Sequence, residues 1–305
     1  MKKILLTGSE GFVGRHLCES LANRADFQLS CPKQLEVNLT NSLEVAHYIE
    51  SFQPDVIIHS ATSNTVGKDY NSDVCEQNLR MFFNLLRHRP NDCAIYSLCS
   101  GSSYNRENWQ EKMEEEYLGT YIPSDGQGFS KFVISSYARH LSDVVILRLF
   151  GIFGEYEDYR YKFISNTIAK RLIGQAVTLH KNAVYDYLDV SDFCAIMHKL
   201  IDQNIRSGEF NVTPDHSTSL SQIIETIDHC LGTERPYKIT NPGYGTPYTG
   251  SNKKLKSTLA NLTFLPMKES IDRLIGYYRK NIELIDRKAL EQDKLLQHAK
   301  TINKP

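Results

Sequence analysis

Three glycines near the start of the chain have the spacing of a loop that binds phosphate. Gly8, Gly11 and Gly14 separate a short apolar run from a segment with helical periodicity. In such a loop the first glycine permits a tight turn, the second lets the backbone approach a pyrophosphate, and the third lets helix and strand pack closely. The N-terminus of the following helix adds amide donors and a favourable dipole. The spacing therefore predicts a dinucleotide-binding loop, with an ordinary strand-to-helix turn as the alternative.

This loop requires a strand before it and a helix after it, and the first half of the chain repeats that pairing. Short apolar runs alternate with segments in which apolar residues recur at helical spacing. Alternation of this kind predicts an α/β fold with a parallel, doubly wound sheet. The expected strands cover residues 3–7, 27–31, 55–59, 93–99 and 144–149. The expected helices cover residues 12–23, 42–52, 73–89 and 127–140, with Ser42 as the cap of the second.

The pattern of elements changes after Gly154 and predicts a smaller α/β lobe, with some segments returning to the first lobe. The helices expected in this half of the chain cover residues 162–173, 191–205 and 220–231, and the strands expected there cover 177–179, 184–190 and 210–213. From Lys268 the sequence is helical and increasingly charged. The predicted organisation is a dinucleotide-binding lobe over 1–160 with 184–205 returning to it, a substrate lobe over 161–183 and 206–270, and a helical tail over 271–305.

Composition limits the classes of partner. The 305 residues are 41% hydrophobic and 23% charged, which is typical of a soluble globular protein. The 35 Lys and Arg balance the 36 Asp and Glu, so charge gives no reason to expect nucleic acid or a membrane surface as a partner. No run approaches the roughly 18 apolar residues of a membrane span, and no secretory leader is indicated. The acidic run 114–116 is predicted to be solvated.

The cysteines and histidines do not indicate a disulfide framework or a metal site. The seven cysteines are scattered without C-x-x-C pairs, which favours reduced thiols in the cytoplasm. No spacing of His and Cys resembles a set of metal ligands, so no metal is predicted. His59 ends a predicted strand and is expected to be structural or adjacent to the cofactor. Asp189 and Asp192 are expected to organise a hinge by capping a helix.

The G-x-x-G-x-x-G form of the glycine loop resembles that of the short-chain dehydrogenase/reductase family, whose extended branch modifies nucleotide sugars. Five further segments resemble motifs of that branch in the same order, so that the resemblance covers about residues 1–265. They are "PDVIIHSAT" (54–62), "LCSGSSYN" (98–105), "RLFGIFGEY" (148–156), "YDYLDVSDF" (185–193) and "FNVTPDHSTSL" (210–220). The resemblance implies a Rossmann fold, an NAD(P) cofactor, and a nucleotide-diphosphate sugar as the substrate, held between the lobes.

The resemblance also implies that the dinucleotide lies along the carboxyl ends of the first strands. The cofactor-binding residues expected from it are Gly8, Ser9, Glu10, Gly11, Phe12, Val13, Gly14, Asn38, Leu39, Ser60, Ala61, Thr62 and Lys131. The carboxylate that usually selects NAD after the second strand is absent, because Ser30 and Cys31 stand there. Lys33 would favour the 2′-phosphate of NADP and Glu10 would repel it, and the balance leans slightly to NADP(H).

In this branch a serine after the fourth strand works with a tyrosine and a lysine on the next helix. The Y-x-x-x-K spacing places the tyrosine and the lysine on one helical face, where the phenol passes a proton at the sugar oxygen while hydride moves. Ser100 corresponds to the serine and Lys131 to the lysine, but Gln127 occupies the tyrosine position. An amide forms hydrogen bonds and does not act as a general acid near neutral pH.

Three interpretations of Gln127 stand side by side. In the first, the chain is a regulatory or assembly protein that binds the dinucleotide without standard turnover. In the second, the proton comes from another group, with Tyr104, Tyr121, Lys131 and water as the candidates. In the third, the substitution is an engineered or family-specific change that alters the chemistry.

Two departures from the branch narrow the expected reaction. Gly101 and Ser102 replace the Asp-Glu pair of the 4,6-dehydratases, while Ser102 and Lys162 replace the cysteine and histidine used for epimerisation beside the carbonyl. The resemblance therefore implies hydride transfer at C4, by a 4-ketoreductase or a 4-epimerase. The expected substrate contacts are Ser102, Tyr104, Lys162, Arg171 and Tyr185. Relatives pair two long helices per subunit, so a homodimer built on helices 73–89 and 127–140 is also implied.

Overall fold

The computed structural model describes residues 1–63 and 73–302. The strands are β1 (Lys2–Thr7), β2 (Phe27–Ser30), β3 (Val56–His59), β4 (Ala94–Ser100), β5 (Val144–Leu149), β6 (Gly151–Phe153), β7 (Val177–Leu179), β8 (Val184–Tyr185), β9 (Tyr187–Asp189), β10 (Gly208–Val212), β11 (Thr218–Ser219) and β12 (Tyr237–Ile239). The α-helices are α1 (Phe12–Ala22), α2 (Ser42–Phe52), α3 (Val74–His88), α4 (Gly126–Ala138), α5 (Phe163–Leu172), α6 (Val190–Asp202), α7 (Leu220–Leu231), α8 (Lys253–Thr258), α9 (Met267–Lys280), α10 (Arg287–Glu291) and α11 (Lys294–Ile302).

Six strands form one parallel sheet in the order β10-β5-β4-β3-β1-β2. The chain moves outward from β1 to β2 and then crosses back to β3 on the other side of β1, which creates a switch point between β1 and β3. In open α/β sheets, ligands bind outside the carboxyl ends of the strands at such a point. The sheet confirms the predicted doubly wound α/β class, and it directs attention to the ends of β1 and β3.

Helices cover both faces of this sheet. On one face, side chains of β1, β3, β4 and β5 form a buried apolar layer with α2, α3 and α4. On the other face, the Tyr96 hydroxyl of β4 donates a hydrogen bond to the carbonyl oxygen of Ile205, after α6, at 2.7 Å. The same hydroxyl lies 3.3 Å from the carbonyl oxygen of Leu200 in α6. Strands buried on both faces have continuous apolar runs, which is why β3, β4 and β5 were recognisable from sequence.

The chain divides into two compact units at boundaries that differ from those predicted. The first unit contains Met1–Phe150, Phe193–Thr213 and Gly250–Leu262, and the second contains Gly151–Asp192, Pro214–Thr249 and the chain from Thr263 onward. Because β10 pairs with β5, the predicted assignment of 206–213 to the substrate lobe is wrong. The separate helical tail is also wrong, because Ile271, Leu274 and Leu290 belong to the apolar core of the second unit.

The second unit contains three pairs of strands and the helices α5, α7, α9, α10 and α11. Strands β6 and β9 pair in parallel, as do β7 and β12, while β8 and β11 pair in antiparallel orientation. A capping box of Ser219 and Gln222 begins α7, and Gly232 in the left-handed conformation ends it. Within residues 1–63 and 73–302, no helix is long and apolar enough to cross a bilayer.

Two local predictions are corrected by polar contacts. The cap of α2 is Asn41, whose side chain accepts hydrogen bonds from the amides of Leu43 and Glu44, and Ser42 is already helical. Glu115, at the centre of the acidic run predicted to be solvated, is only 2% exposed, and its carboxylate accepts a hydrogen bond from the amide of Asn211. Burial raises the pKa of Glu115, because the charged carboxylate is less stable away from water.

A buried ion-pair cluster fixes the β5–β10 edge of the sheet. Arg148 of β5 is fully buried and pairs with Glu209 of β10, which also accepts a hydrogen bond from Arg139. Burial alone would raise the pKa of Glu209, but the neighbouring Arg148 and Arg139 guanidinium groups hold it below its ordinary value. The guanidinium of Arg148 also lies over the Tyr104 ring, 5.1 Å from its centre.

The Glu209→Gln substitution is expected to lower the free energy of unfolding by about 3–5 kcal/mol, because it leaves the buried Arg148 charge uncompensated. Urea denaturation followed by circular dichroism measures this loss. The matched control is Glu19→Gln, since Glu19 forms an exposed i,i+4 pair with Arg15 and should cost no more than about 0.5 kcal/mol. A loss at position 209 as small as that of the control would contradict the structural role of the cluster.

Candidate active site

Two of the three loop glycines are required by close backbone packing. Gly8 has a φ of +73°, and a Cβ added there would lie 2.5 Å from the amide nitrogen of Ala61. A Cβ added at Gly14 would lie 2.0 Å from the carbonyl oxygen of Gly8. These distances are shorter than any real contact, so no larger side chain is accommodated at either position. The loop is thereby held against the segment that follows β3.

The middle glycine leaves open space in front of a helix end. Gly11 is the N-cap of α1 and provides no side-chain cap, so the first-turn amides of Phe12 and Val13 have no acceptor from a capping residue. The nearest heavy atom to a Cβ added at Gly11 would be the Gly8 carbonyl oxygen at 3.4 Å, which is an ordinary contact. An uncapped helix end with room beside a glycine fits the pyrophosphate of a dinucleotide.

A buried polar pair joins the ends of β1 and β3 at the switch point. Thr7 and His59 are register partners in the sheet, and Thr7 Oγ1 lies 2.9 Å from Nδ1 of His59. The amide of Ala61 donates to the same hydroxyl at 3.4 Å. Burial, and then the nearby Lys131 charge, lower the pKa of His59 to about 3, so the imidazole is neutral at physiological pH. His59 is therefore a neutral hydrogen-bonding partner of Thr7 beside the loop.

Because His59 is neutral in the native state, the free energy of unfolding is expected to fall in acid. The pKa of His59 is about 3 in the native state and about 6.5 in the unfolded state. Between these two pH values only the unfolded state binds a proton at His59. We expect this group to lower the free energy of unfolding by about 2 kcal/mol between about pH 7 and pH 5, measured by urea denaturation. His59→Asn should remove that dependence, whereas His140→Asn, at an exposed position, should retain it. Equal pH dependence in all three proteins would refute the assignment.

Asn78 of α3 organises the site and was not predicted. Its buried side chain accepts hydrogen bonds from the Thr62 hydroxyl at 3.2 Å and the Ser63 amide at 2.8 Å. The same side chain donates to Ser130 Oγ at 3.2 Å, and Ser130 in turn donates to the carbonyl of Gln127 at 2.8 Å. Asn78 therefore links the segment after β3 to helix α4. A single Asn in a helical pattern gave no signal of this role.

Lys131 is buried at the carboxyl end of β4. Its Nζ donates a hydrogen bond to the carbonyl oxygen of Leu98 at 3.1 Å, and burial lowers the pKa of its ammonium group. Ser100 ends the same strand, and its hydroxyl accepts a hydrogen bond from the amide of Ser102 at 3.1 Å. The structure thus brings Lys131 and Ser100 to the end of one strand, as the sequence motifs required.

Gln127 lies in the first turn of α4, one helical turn before Lys131. Asp125 caps the helix by accepting a hydrogen bond from the Gly128 amide at 2.8 Å, and Gln127 itself is half-buried. A Cβ added at Gly128 would lie 2.9 Å from the carbonyl oxygen of Ser102, so a glycine is needed for α4 to pack against the turn after β4. The first turn of α4 therefore carries an amide side chain one helical turn before Lys131.

Residues 4–213 match the model of the NAD dependent epimerase/dehydratase family. The chain belongs to that family. A curated relative, GDP-6-deoxy-D-talose 4-dehydrogenase of Aggregatibacter actinomycetemcomitans, is 25% identical over 74% of this chain and 79% of its own length.

Two solved structures share the fold of this epimerase/dehydratase family member. RMD of Pseudomonas aeruginosa, complexed with NADPH, has a TM-score of 0.76 with 21% identity and covers 92% of this chain and 100% of its own. A dTDP-glucose 4,6-dehydratase of Bacillus anthracis, in complex with NAD, has a TM-score of 0.75 with 16% identity, over 93% and 98% of the two chains. The family binds NAD(P), and its structures include both forms of the dinucleotide.

Tyr104 cannot serve this family member as an exposed proton donor or substrate contact in the described structure. Its side chain has no exposed surface, and its hydroxyl donates to Asn211 Oδ1 at 2.7 Å. Burial raises its pKa further from neutrality. Ser102 is also buried, although its hydroxyl has no hydrogen-bond partner among the described residues. Of the tyrosines considered from sequence, only Tyr121 is exposed.

The other expected substrate contacts lie in the second unit. Lys162 is exposed at the N-cap of α5. Arg171 is buried, where it pairs with Asp228 at 2.8 Å and donates to the carbonyl of Arg235, so its described contacts are structural. Tyr185 is half-buried and stacks on Tyr187 with ring centres 5.7 Å apart.

Residues after β2 form the edge of the expected cofactor site. Ser30 Oγ is 2.7 Å from the Tyr48 hydroxyl, and Lys33 is exposed. Asn38 is exposed, and its backbone amide donates a hydrogen bond to the Glu44 carboxylate. Leu39 is partly buried and packs against the apolar core. Within the described residues, no group of three or more His, Cys, Asp or Glu has the arrangement of a metal site.

Proposed function

We propose that this family member modifies a nucleotide-diphosphate sugar by hydride transfer at C4, as a 4-ketoreductase or a 4-epimerase. The observation that carries the proposal is the burial of Lys131 beside the end of β4, where Ser100 is also found. Among the described residues the printed partner of this ammonium is a carbonyl group and not a carboxylate. A buried lysine in such surroundings lowers stability, which is tolerated where the amine has a chemical task. The 4-dehydrogenase named among the relatives supports C4 as the reacting carbon.

The dinucleotide supplies or accepts the hydride when it is bound. Gly11 and the first-turn amides of α1 bind its pyrophosphate, and Ser60, Ala61 and Thr62 line its path along the end of β3. Lys131 holds the nicotinamide ribose. The exposed Lys33 favours the 2′-phosphate of NADP(H), and we propose this form over NADH.

Ser100, Gln127 and Lys131 are the residues that act on the sugar in this proposal. Ser100 polarises the C4 oxygen through its hydroxyl, whose orientation is restrained by the amide of Ser102. Gln127 hydrogen-bonds to the substrate or cofactor without carrying a proton. The proton reaches the sugar oxygen from Lys131, directly or through water, because the lowered pKa of this ammonium makes it a stronger acid than an ordinary lysine. Tyr104 is excluded from this role by its burial.

The proposal is tested by following nicotinamide absorbance with NADPH and NADH against a panel of nucleotide-linked 4-keto-6-deoxy sugars. Oxidation with one substrate establishes a reductase and identifies the preferred dinucleotide. A 4-epimerase returns the hydride to the same sugar, so a second assay uses nucleotide-linked sugars that carry a C4 hydroxyl, and NMR detects inversion at C4 without net oxidation. Failure of both assays across the panel would contradict hydride transfer at C4.

A second candidate is a dinucleotide-binding protein without standard turnover, which has a regulatory or assembly role. Two observations favour it: the amide side chain at position 127 and the burial of Tyr104. The two candidates differ in the expected outcome of the same panel. Tight binding of NADPH measured by calorimetry, combined with no reaction of any sugar, would favour the second candidate.

We also propose that the chain acts in the cytoplasm as a homodimer joined through α3 and α4. All seven cysteines are free, which suits a reducing compartment. On α4, Phe129 is 39% exposed and Tyr137 is 52% exposed, and the Tyr137 ring packs 5.3 Å from that of Phe83 on α3. Large aromatic groups on a helical surface are typical of protein interfaces.

The Tyr137→Asp substitution is expected to convert the dimer to a monomer, because it places a carboxylate in an apolar interface. Size-exclusion chromatography with light scattering measures the molar mass. Tyr244→Asp changes an exposed tyrosine of the second unit and should leave the dimer intact. A monomeric native protein at micromolar concentration would refute the proposed assembly.

A further inference from the structure

Cys18 and Cys31 place two thiol groups in direct contact. Their sulfur atoms are 3.0 Å apart, and both residues are half-buried and free. A disulfide joins sulfur atoms about 2.05 Å apart, so bond closure requires a movement of about 1 Å. Closing the bond therefore requires only a short displacement of the two thiol groups.

The pair connects two elements that border the dinucleotide site. Cys18 lies on α1, one helical turn after Gly14. Cys31 follows β2 directly, at the position where dinucleotide-binding folds usually carry the carboxylate that binds the ribose. The carbonyl oxygen of Cys31 accepts a hydrogen bond from Ser9 Oγ of the glycine loop at 3.4 Å. A displacement of Cys31 is therefore transmitted to the loop.

We propose that Cys18 and Cys31 form a reversible disulfide that lowers the affinity of the chain for its dinucleotide. The oxidant is a peroxide or a low-molecular-weight disulfide. With hydrogen peroxide, one thiol is oxidised to a sulfenic acid with release of one water, and the second thiol displaces another water as the S–S bond forms. Two thiols lose two protons and two electrons, and the peroxide is reduced to two waters. A dithiol reductant reverses the step by thiol–disulfide exchange.

The effect on affinity rests on the proposed function, because it requires a dinucleotide at the glycine loop. Bond closure draws Cys31 towards α1 and changes its contact with Ser9, whereas the reduced pair leaves the loop in the described position. Coupling between two sites is reciprocal. A bound dinucleotide therefore opposes disulfide formation to the same extent that the disulfide opposes binding.

The first test is chemical and requires no cofactor. Burial, and then the hydrogen bond from Cys18, raise the pKa of the Cys31 thiol, so the full chain is incubated with oxidant for hours before alkylation. Peptide mass spectrometry should find Cys18 joined to Cys31, and dithiothreitol should separate them. Cys18→Ser and Cys31→Ser should each abolish the cross-link, while Cys75→Ser, at another half-buried cysteine, should retain it. Absence of the bond in the native chain overturns the proposal.

The second test measures affinity. NADPH and NADH are titrated by calorimetry into the reduced and the oxidised chain, and we expect Kd to rise about tenfold on oxidation. Reduction should restore the original value, and oxidant should leave Kd of Cys31→Ser unchanged. Equal Kd in both forms overturns the regulatory role while the bond itself stands. A reduced chain that binds neither dinucleotide overturns the proposed function and the coupling, and the mass measurement still reports independently on the disulfide.

Discussion

The Lys131→Met substitution is expected to lower kcat of the native reaction by about a thousandfold, within the range that general acid catalysis contributes. Methionine retains the length and apolar character of the buried side chain while it removes the ammonium group. Both proposed tasks of Lys131, holding the ribose and delivering the proton, are lost together. Steady-state kinetics with the sugar identified in the panel measure the effect, and KM for the dinucleotide should rise as well.

The stability of this variant separates chemistry from folding. Because burial lowers the pKa of Lys131, its charge is unfavourable to the native state, and removing it should leave Tm unchanged or raise it. The control is Lys280→Met at an exposed position at the end of α9, which should keep full activity. In the native chain, the rate of ketone reduction should fall as pH rises through the lowered pKa. A Lys131→Met variant with normal kcat would refute the assigned role.

The Gln127→Tyr substitution is expected to raise kcat by about a hundredfold, because it places a phenol one helical turn before Lys131. The nearby ammonium lowers the pKa of a phenol at that position, so that it exchanges protons with the sugar oxygen near neutral pH. Gln127 is half-buried in the first turn of α4, where the cap by Asp125 is independent of its side chain. The fold should therefore accept the larger ring.

The Gln127→Phe variant isolates the contribution of the phenol, because it adds the same ring without the hydroxyl. We expect it to be no faster than the native chain in the same assay. Equal gains from tyrosine and phenylalanine would show that packing is responsible and would contradict a proton-transfer role. Activity in Gln127→Tyr alone, with none in the native chain, would favour the binding protein over the enzyme.

Local sequence patterns predicted most of the elements because each one is defined by nearby residues. β5 and α7 have the predicted bounds, since a continuous apolar run defines the strand and a Ser219–Gln222 capping box defines the helix. The glycine loop was also recognisable, because the spacing of its three glycines follows from backbone contacts within one turn. Lys131 and Ser100 were located through motifs attached to such elements.

Features that depend on distant partners were not predictable from sequence. Tyr104 is directed into the core by Asn211, and Glu115 is buried by the amide of the same residue, about a hundred positions along the chain. Arg171 was predicted to contact the substrate, but Asp228 forms an ion pair with its guanidinium group. Buried polar groups require hydrogen-bonding partners, and the sequence does not show where those partners come from.

The position of β10 at the edge of the sheet has a consequence for synthesis on the ribosome. β5 pairs on one side with β4 and on the other with β10, which emerges only after residues 150–207 have been made. Until then, the nascent sheet has five strands and presents β5 as an open, apolar edge, which favours intermolecular pairing. Chains truncated before Gly208 are therefore expected to aggregate, and co-translational protection of this edge should determine the yield of folded protein.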